Sequence, residues 1–208
     1  MESDETKLRH MIQYFVFGLK GSILGFQQGL LDDERIRLPD ECFSSVETNA
    51  NLMFISKFVA REKKIWDAYK FTDLSANMLM HEMENCKWVS TVSLLQEFCH
   101  SHDYQENTDD DEGWTPNPVY TRDEFSADWD AGKKTRCQYS KMTENFYMRF
   151  FNFYASYSRF MELWTYWDPR NRNDVYLTTM AMGRETGTVV RILFDFHLTD
   201  ASKDYVLQ

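Results

Sequence analysis

Residue types that bind metal ions are concentrated near position 100. Glu97 and His100 form a Glu-x-x-His pair, which places both side chains on one helix face, as in the di-iron sites of helical bundles. Such sites need a second copy of the pair, and the sequence contains none. Cys99 and His102 add two zinc-ligand types. A helix end followed by polar loop residues explains the same cluster. We therefore predict no metal site and keep as weak candidates Glu97, Cys99, His100 and His102.

Other catalytic patterns are incomplete. His81, Glu82 and Glu84 lack the second histidine of the His-Glu-x-x-His zinc motif. The acidic run before Gly113 has the composition of a calcium loop, but Val119 stands where an EF-hand needs a bidentate glutamate. The nucleophile-elbow, phosphate-loop and dinucleotide glycine motifs do not occur. The sequence thus favours a non-catalytic protein without a cofactor. A metal-dependent helical enzyme ranks third among the hypotheses that the sequence allows.

The four cysteines leave the redox state open. Cys86 and Cys99 lie on one predicted helix, separated by roughly 140° around its axis, so they are poorly placed to pair with each other. Any disulfide would join that helix to a loop cysteine, Cys42 or Cys137. A chain of 208 residues does not need disulfides to fold, and we expect free thiols slightly ahead of two disulfides.

Charge is distributed unevenly along the chain. The formal net charge is −10, and the segment from Ser101 to Ala131 carries ten acidic residues against one base, Arg122. Nucleic-acid binding needs a basic face, so it is not predicted. The beginning of the sequence, Met1 to His10, is polar and acidic, which is not typical of a signal or transit peptide.

Hydrophobic periodicity predicts a mainly α protein with a single domain, 1–208: an up-and-down bundle of four to five helices with one long acidic connection at about 100–136. Few prolines and glycines interrupt the chain. The predicted helices cover approximately 4–31, 45–70, 72–99, 137–168 and 173–198. The β-branched stretch 188–196 also fits a strand, and this alternative stays open.

Four glycines form a stripe on the first predicted helix: Gly18, Gly21, Gly25 and Gly29. Each costs about 0.8–1 kcal/mol relative to alanine, so we expect another helix to approach closely there. The preferred partner is an aromatic helix of the same chain. The stretch 11–31 also has the length of a membrane span, although Lys20 near its middle opposes insertion. A membrane-embedded or membrane-flanking helix is the second interpretation.

Seven aromatic residues follow one another at alternating spacings of four and three: Phe146, Phe150, Phe153, Tyr157, Phe160, Trp164 and Trp167. This is the 3.5-residue period of a helix seam, so the rings share a face. Core packing against the glycine stripe is the simpler expectation. The alternative is a cavity between rings and glycines that binds a lipid or another apolar ligand.

The long acidic connection carries Trp114, Phe125 and Trp129, large side chains that are unusual in a free acidic tail. A connection of this length is more often functional than idle. We expect these three residues to anchor in pockets of a partner, with the acidic residues facing a basic surface.

Together these patterns favour a non-catalytic accessory or structural subunit of a larger, membrane-associated complex. Its partners would be other protein subunits with basic surfaces, with membrane proximity through residues 11–31. The main alternative is a helical binding module that carries a lipid or other apolar ligand. The compartment is not determined, although an organellar membrane complex fits.

Overall fold

The computed structural model describes residues 4–43, 76–100, 137, 139–168 and 171–198. Within these ranges the chain is helical and contains no strand, which confirms the predicted mainly α bundle. The six helical segments are α1 (Asp4–Leu31), α2 (76–85), α3 (Trp88–His100), α4 (Tyr139–Met148), α5 (Phe150–Thr165) and α6 (Arg172–Phe194). The predicted helix at 45–70 and the acidic connection lie outside the described residues.

Helices α1 and α6 run parallel and form the closest pair in the described part of the chain. Gly21 lies against Tyr176, and Gly29, two turns later, lies against Arg184 and Thr188. From α6, Gly183 and Gly187 fit back against α1. The glycines therefore pack inside the chain, but the predicted partner was wrong: they contact α6 and not the aromatic seam.

The end of α6 settles the open question about residues 188–196. The helix begins after Asn171, whose side chain accepts a hydrogen bond from the backbone N–H of Asp174 at 3.0 Å. It continues to Phe194 and ends at Asp195, which adopts the left-handed conformation. Arg191 in the last turn suits the helix dipole. The β-branched residues in this stretch are thus helical as far as Phe194.

Two of the predicted helices are each interrupted once. Lys87 adopts a left-handed conformation (φ 56°) and separates α2 from α3. Arg149 separates α4 from α5 with φ −115° and ψ 25°. Neither break has a glycine or a proline, the usual sequence signals for one.

Both disulfides form, so the expectation of free thiols was wrong. Cys42 pairs with Cys86, and Cys99 pairs with Cys137. Each joins the α2–α3 region to a loop cysteine, as the conditional prediction required. The first disulfide is completely buried against Ile23 of α1.

Polar residues of α1 hydrogen-bond to the backbone of both cysteines of that disulfide. Lys20 Nζ donates to the Cys42 carbonyl at 3.0 Å, and Gln27 Nε2 donates to the Cys86 carbonyl at 3.0 Å. Glu82 of α2 is fully buried and accepts the backbone N–H of Phe43 at 2.5 Å. These bonds satisfy buried backbone groups where the chain leaves regular helix, which is the physical reason for polar residues at these positions.

The main apolar core lies between α1, α3 and the end of α6. Leu30 and Leu94 contribute to it, and the rings of Phe98 and Phe196 meet edge to face at 4.8 Å. Within the described ranges, no helix combines the length and the apolar composition needed to cross a bilayer.

Candidate interaction surface

Helix α5 leaves most of its aromatic residues exposed, although Phe153 and Phe160 are half-buried. Its one buried residue is Ser156, and α4 has none. One exposed face of α5 carries five large side chains, each between 39% and 58% exposed: Phe150, Tyr154, Tyr157, Met161 and Trp164. We call these five residues the α5 stripe. They span roughly 80° of the helix circumference. The prediction that the seam forms core was therefore wrong along this face.

The orientation of α5 follows from its contacts with α6. The α4–α5 pair runs antiparallel to α6: Asn145 donates to the carbonyl of Leu193 at 2.9 Å, while Arg159 lies 3.8 Å from Glu185. Ser156 lies between these contacts along α5 and points roughly 120° away from Phe150 around the helix axis. The face of α5 that is turned to α6 therefore carries a small polar residue, and the large apolar residues stay outside.

Two arginines, Arg149 just before α5 and Arg159 within it, pair with acidic residues at or in α6. Arg149 pairs with Asp195 at 2.5 Å. Between the two helices is a polar groove of about 350 Å³, which is lined in part by Arg149, Arg159 and Arg191. Arg191 pairs with Asp32 at 2.6 Å. Each arginine of the groove thus has an acidic neighbour, so the groove is close to charge balance. The α5 stripe itself contains no charged residue.

Ring contacts order both ends of the stripe. Phe150 stacks on Tyr154 with ring centroids 6.2 Å apart, and Trp164 stacks on Phe160 at 6.5 Å. Trp167 continues the series at 6.0 Å from Trp164. These contacts favour fixed ring positions, which reduces the entropy that docking a partner would cost.

The stripe leads into an apolar pocket. Trp167 forms one wall of a pocket of about 530 Å³ between α1 and the first turns of α6. The other walls include Tyr14, Phe15, Leu19 and Val175. Phe15 at the pocket is itself 65% exposed. The alternative of an apolar cavity beside glycine therefore has a counterpart here, because Gly18 lines the pocket.

The apolar area on this side is large for a single chain. At about 200 Å² for each large side chain, the exposed fractions of the stripe amount to about 500 Å². Tyr147, Phe151 and Trp167 next to it raise the total to about 900 Å². The largest apolar patch on a monomeric protein is typically about 300–600 Å², and larger patches mark interaction sites.

The other predicted site residues lie in several different environments. Gly21, Gly25 and Gly29 are buried in the α1–α6 contact. Cys99 is tied in a disulfide, so it has no thiolate to offer zinc. Glu97 is half-buried, and the remaining candidates belong to residues or side chains outside those described: His100, His102, Trp114, Phe125 and Trp129.

Among the described residues, no group of three or more histidine, cysteine or acidic side chains lies close enough together to hold a metal ion. In comparisons with known proteins, no family model, no curated protein and no solved structure matches this chain.

Proposed function

We propose that this protein is a non-catalytic accessory or structural subunit of a larger, membrane-associated protein complex. The observation that carries the proposal is the α5 stripe, an uncharged aromatic face exposed along 15 residues of helix. Aromatic residues and methionine are enriched at the centres of protein interfaces, whereas charged residues are depleted there. The stripe has this composition.

The acidic connection supplies a second contact in the proposal. Trp114, Phe125 and Trp129 anchor in partner pockets while the acidic residues around them meet a basic surface. Replacing Trp114 and Trp129 with alanine is expected to weaken assembly and to leave the helical circular dichroism signal intact. Unchanged assembly would remove the connection from the proposal without affecting the stripe.

The two disulfides support assembly in an oxidising compartment, because such bonds are rare where glutathione and thioredoxin keep thiols reduced. Rapid alkylation of the protein in its source, followed by intact-mass measurement, tests this part. We expect no alkylated cysteine before reduction and four after it. Alkylation without reduction would contradict the assignment to an oxidising compartment.

The main experiment is to purify the native particle gently in mild detergent and to measure its mass and composition. We expect a mass far above 24.9 kDa and defined additional proteins in fixed ratio. The variant Tyr154→Ser/Trp164→Ser is expected to lower that mass, whereas Leu177→Ser, at an exposed apolar position of α6, leaves it unchanged. A native particle that contains only this chain would overturn the proposal.

The pocket beside Trp167 favours a second candidate function, the binding of a lipid or another apolar ligand. Its volume of about 530 Å³ lies in the usual range for ligand sites, about 300–1,000 Å³. Native mass spectrometry is expected to show bound ligand mass on the wild type and on Gly18→Ala. Gly18→Leu, which places a larger side chain at the pocket wall, should lose that mass. Equal ligand mass on all three proteins would place the ligand elsewhere.

A further inference from the structure

We propose that one partner of the α5 stripe is the same stripe of a second copy of this chain, paired antiparallel about a twofold axis near Tyr157. This inference rests on the proposed function and names one of the partners. Closed symmetric pairs are the commonest protein oligomers, and a twofold interface requires a surface that complements itself.

The chemistry of the stripe suits pairing with itself. The residues of the stripe follow one another at spacings of four, three, four and three, which is the pattern of helices that pack side by side. In a twofold pair, a charge near the axis lies close to its own symmetry mate, and like charges facing each other cost several kcal/mol. The stripe has no charged residue, so it avoids this cost. Arg149 and Arg159 face α6 instead.

The order of residues along the stripe also suits an antiparallel pair. With Tyr157 on the axis, Phe150 of one copy lies opposite Trp164 of the other. At the ends, Tyr147 of one copy lies opposite Trp167 of the other, where the apolar pocket opens. Tyr147 is 73% exposed, and its ring meets Phe146 edge to face at 5.7 Å, which leaves most of its surface open at this position. Each of these contacts occurs twice, as twofold symmetry demands.

The available area matches what a stable pair needs. Each copy exposes about 900 Å² of large apolar side chains on this side when the residues flanking the stripe are included. Specific protein interfaces of standard size bury about 800 Å² on each partner. The stripe with its flanking aromatics therefore reaches the size of a specific interface without help from other surfaces.

The test uses the purified full-length chain in sedimentation equilibrium across the micromolar range. Wild type is expected to show twice the monomer mass of 24.9 kDa. Tyr157→Lys places two ammonium groups at the axis, and we expect dimerisation to weaken about a hundredfold or more. Leu177→Lys is the matched control, because it adds the same charge at an exposed position of α6 and should dimerise as wild type.

A mixture gives the sharpest result. Tyr157→Glu alone should also be monomeric, but mixed in equal amounts with Tyr157→Lys it should form a mixed dimer. This rescue occurs only if position 157 lies beside its own symmetry mate. A monomeric wild type, equal weakening by both lysine variants, or a failure of the mixture to pair would each overturn the proposal. If native particles nevertheless contain other subunits, the proposed function stands and only the second copy is excluded.

Discussion

Replacing Gly25 with alanine tests the contact that holds α1 on α6. An added Cβ would overlap the Met180 carbonyl oxygen and would lie 2.7 Å from the Met180 carbonyl carbon and 2.8 Å from the Arg184 nitrogen. All three are backbone atoms of α6, so no side chain can rotate away. The two helices would have to separate by roughly 1.5–2 Å to restore ordinary contact distances near 3.5–4.0 Å.

The expected cost follows from opposing effects. Alanine favours helix over glycine by about 1 kcal/mol. Overpacking typically costs about 1–3 kcal/mol, and a gap of 0.5–1 Å also forfeits about a quarter to a half of the dispersion energy along the contact. The contact continues through Gly21, Gly29, Gly183 and Gly187, so the loss is spread over several turns. We therefore expect Gly25→Ala to lower the free energy of unfolding by at least about 2 kcal/mol.

Urea unfolding followed by far-ultraviolet circular dichroism measures this difference, with Gly18→Ala as the matched control. A Cβ at Gly18 would lie 3.4 Å from Val175 Cγ1, which is ordinary contact with a side chain. The free energy of unfolding of Gly18→Ala should equal that of wild type or exceed it by up to about 1 kcal/mol. If the two alanine variants unfold at the same urea concentration, α1 and α6 do not pack against each other through Gly25.

Two further predictions concern the disulfides and pH. Cys42→Ala/Cys86→Ala should lower the free energy of unfolding by about 4 kcal/mol, because the disulfide closes a loop of 44 residues and so restricts the unfolded chain. Urea unfolding measures this loss, and a value well below about 1 kcal/mol would contradict the prediction. Burial raises the pKa of the Tyr176 phenol above its ordinary 10.0, although Arg37 partly opposes the rise. Between the unfolded and the folded pKa, the folded state keeps this proton and the unfolded state loses it. The contribution of Tyr176 to the free energy of unfolding is therefore complete below pH 10 and is lost as pH rises through the folded pKa. Tyr176→Phe should therefore lose less stability than wild type above pH 10, measured by urea midpoints, whereas the exposed Tyr139→Phe should follow wild type.

Elements marked by local chemistry could be predicted from the sequence. The first helix ends at Leu31 because Asp32, Asp33 and Glu34 follow it, and Asp32 adopts the left-handed conformation just after the helix. The type of disulfide also followed from geometry, since two cysteines of the α2–α3 region could only reach loop cysteines, although which loop cysteine joins which was not predicted. Their oxidation could not be predicted, because it depends on the compartment as well as on the chain.

The break at Lys87 depends on tertiary contacts that periodicity does not report. Gln27 of α1 binds the carbonyl of Cys86 and the hydroxyl of Thr91, one on each side of Lys87. The Cys42–Cys86 bond fixes the chain at the same point. Lys87 has no sequence signal of its own, because the forces that bend the chain there come from residues more than 40 positions away.

The sequence does carry a signal for the partner of the glycine stripe. Gly183 and Gly187 repeat the four-residue spacing of Gly21, Gly25 and Gly29. Two helices with glycines at the same period can place each backbone against the gaps of the other, whereas large rings opposite one stripe hold the backbones apart. Close approach is therefore best achieved when both helices carry small residues, as α1 and α6 do.

The aromatic seam shows what periodicity leaves undetermined, since spacing states which residues share a face but not what covers that face. In α5 the usual arrangement of an amphipathic helix is inverted: Ser156 is buried while Tyr154, Tyr157 and Trp164 are exposed. Association costs about 4–15 kcal/mol before any net affinity appears, and buried area does not convert into affinity at a fixed rate. A polar surface placed on the stripe would have to give up its own hydration, whereas an apolar surface removes further apolar area from water. The opposing cost therefore favours a partner surface as apolar as α5 itself.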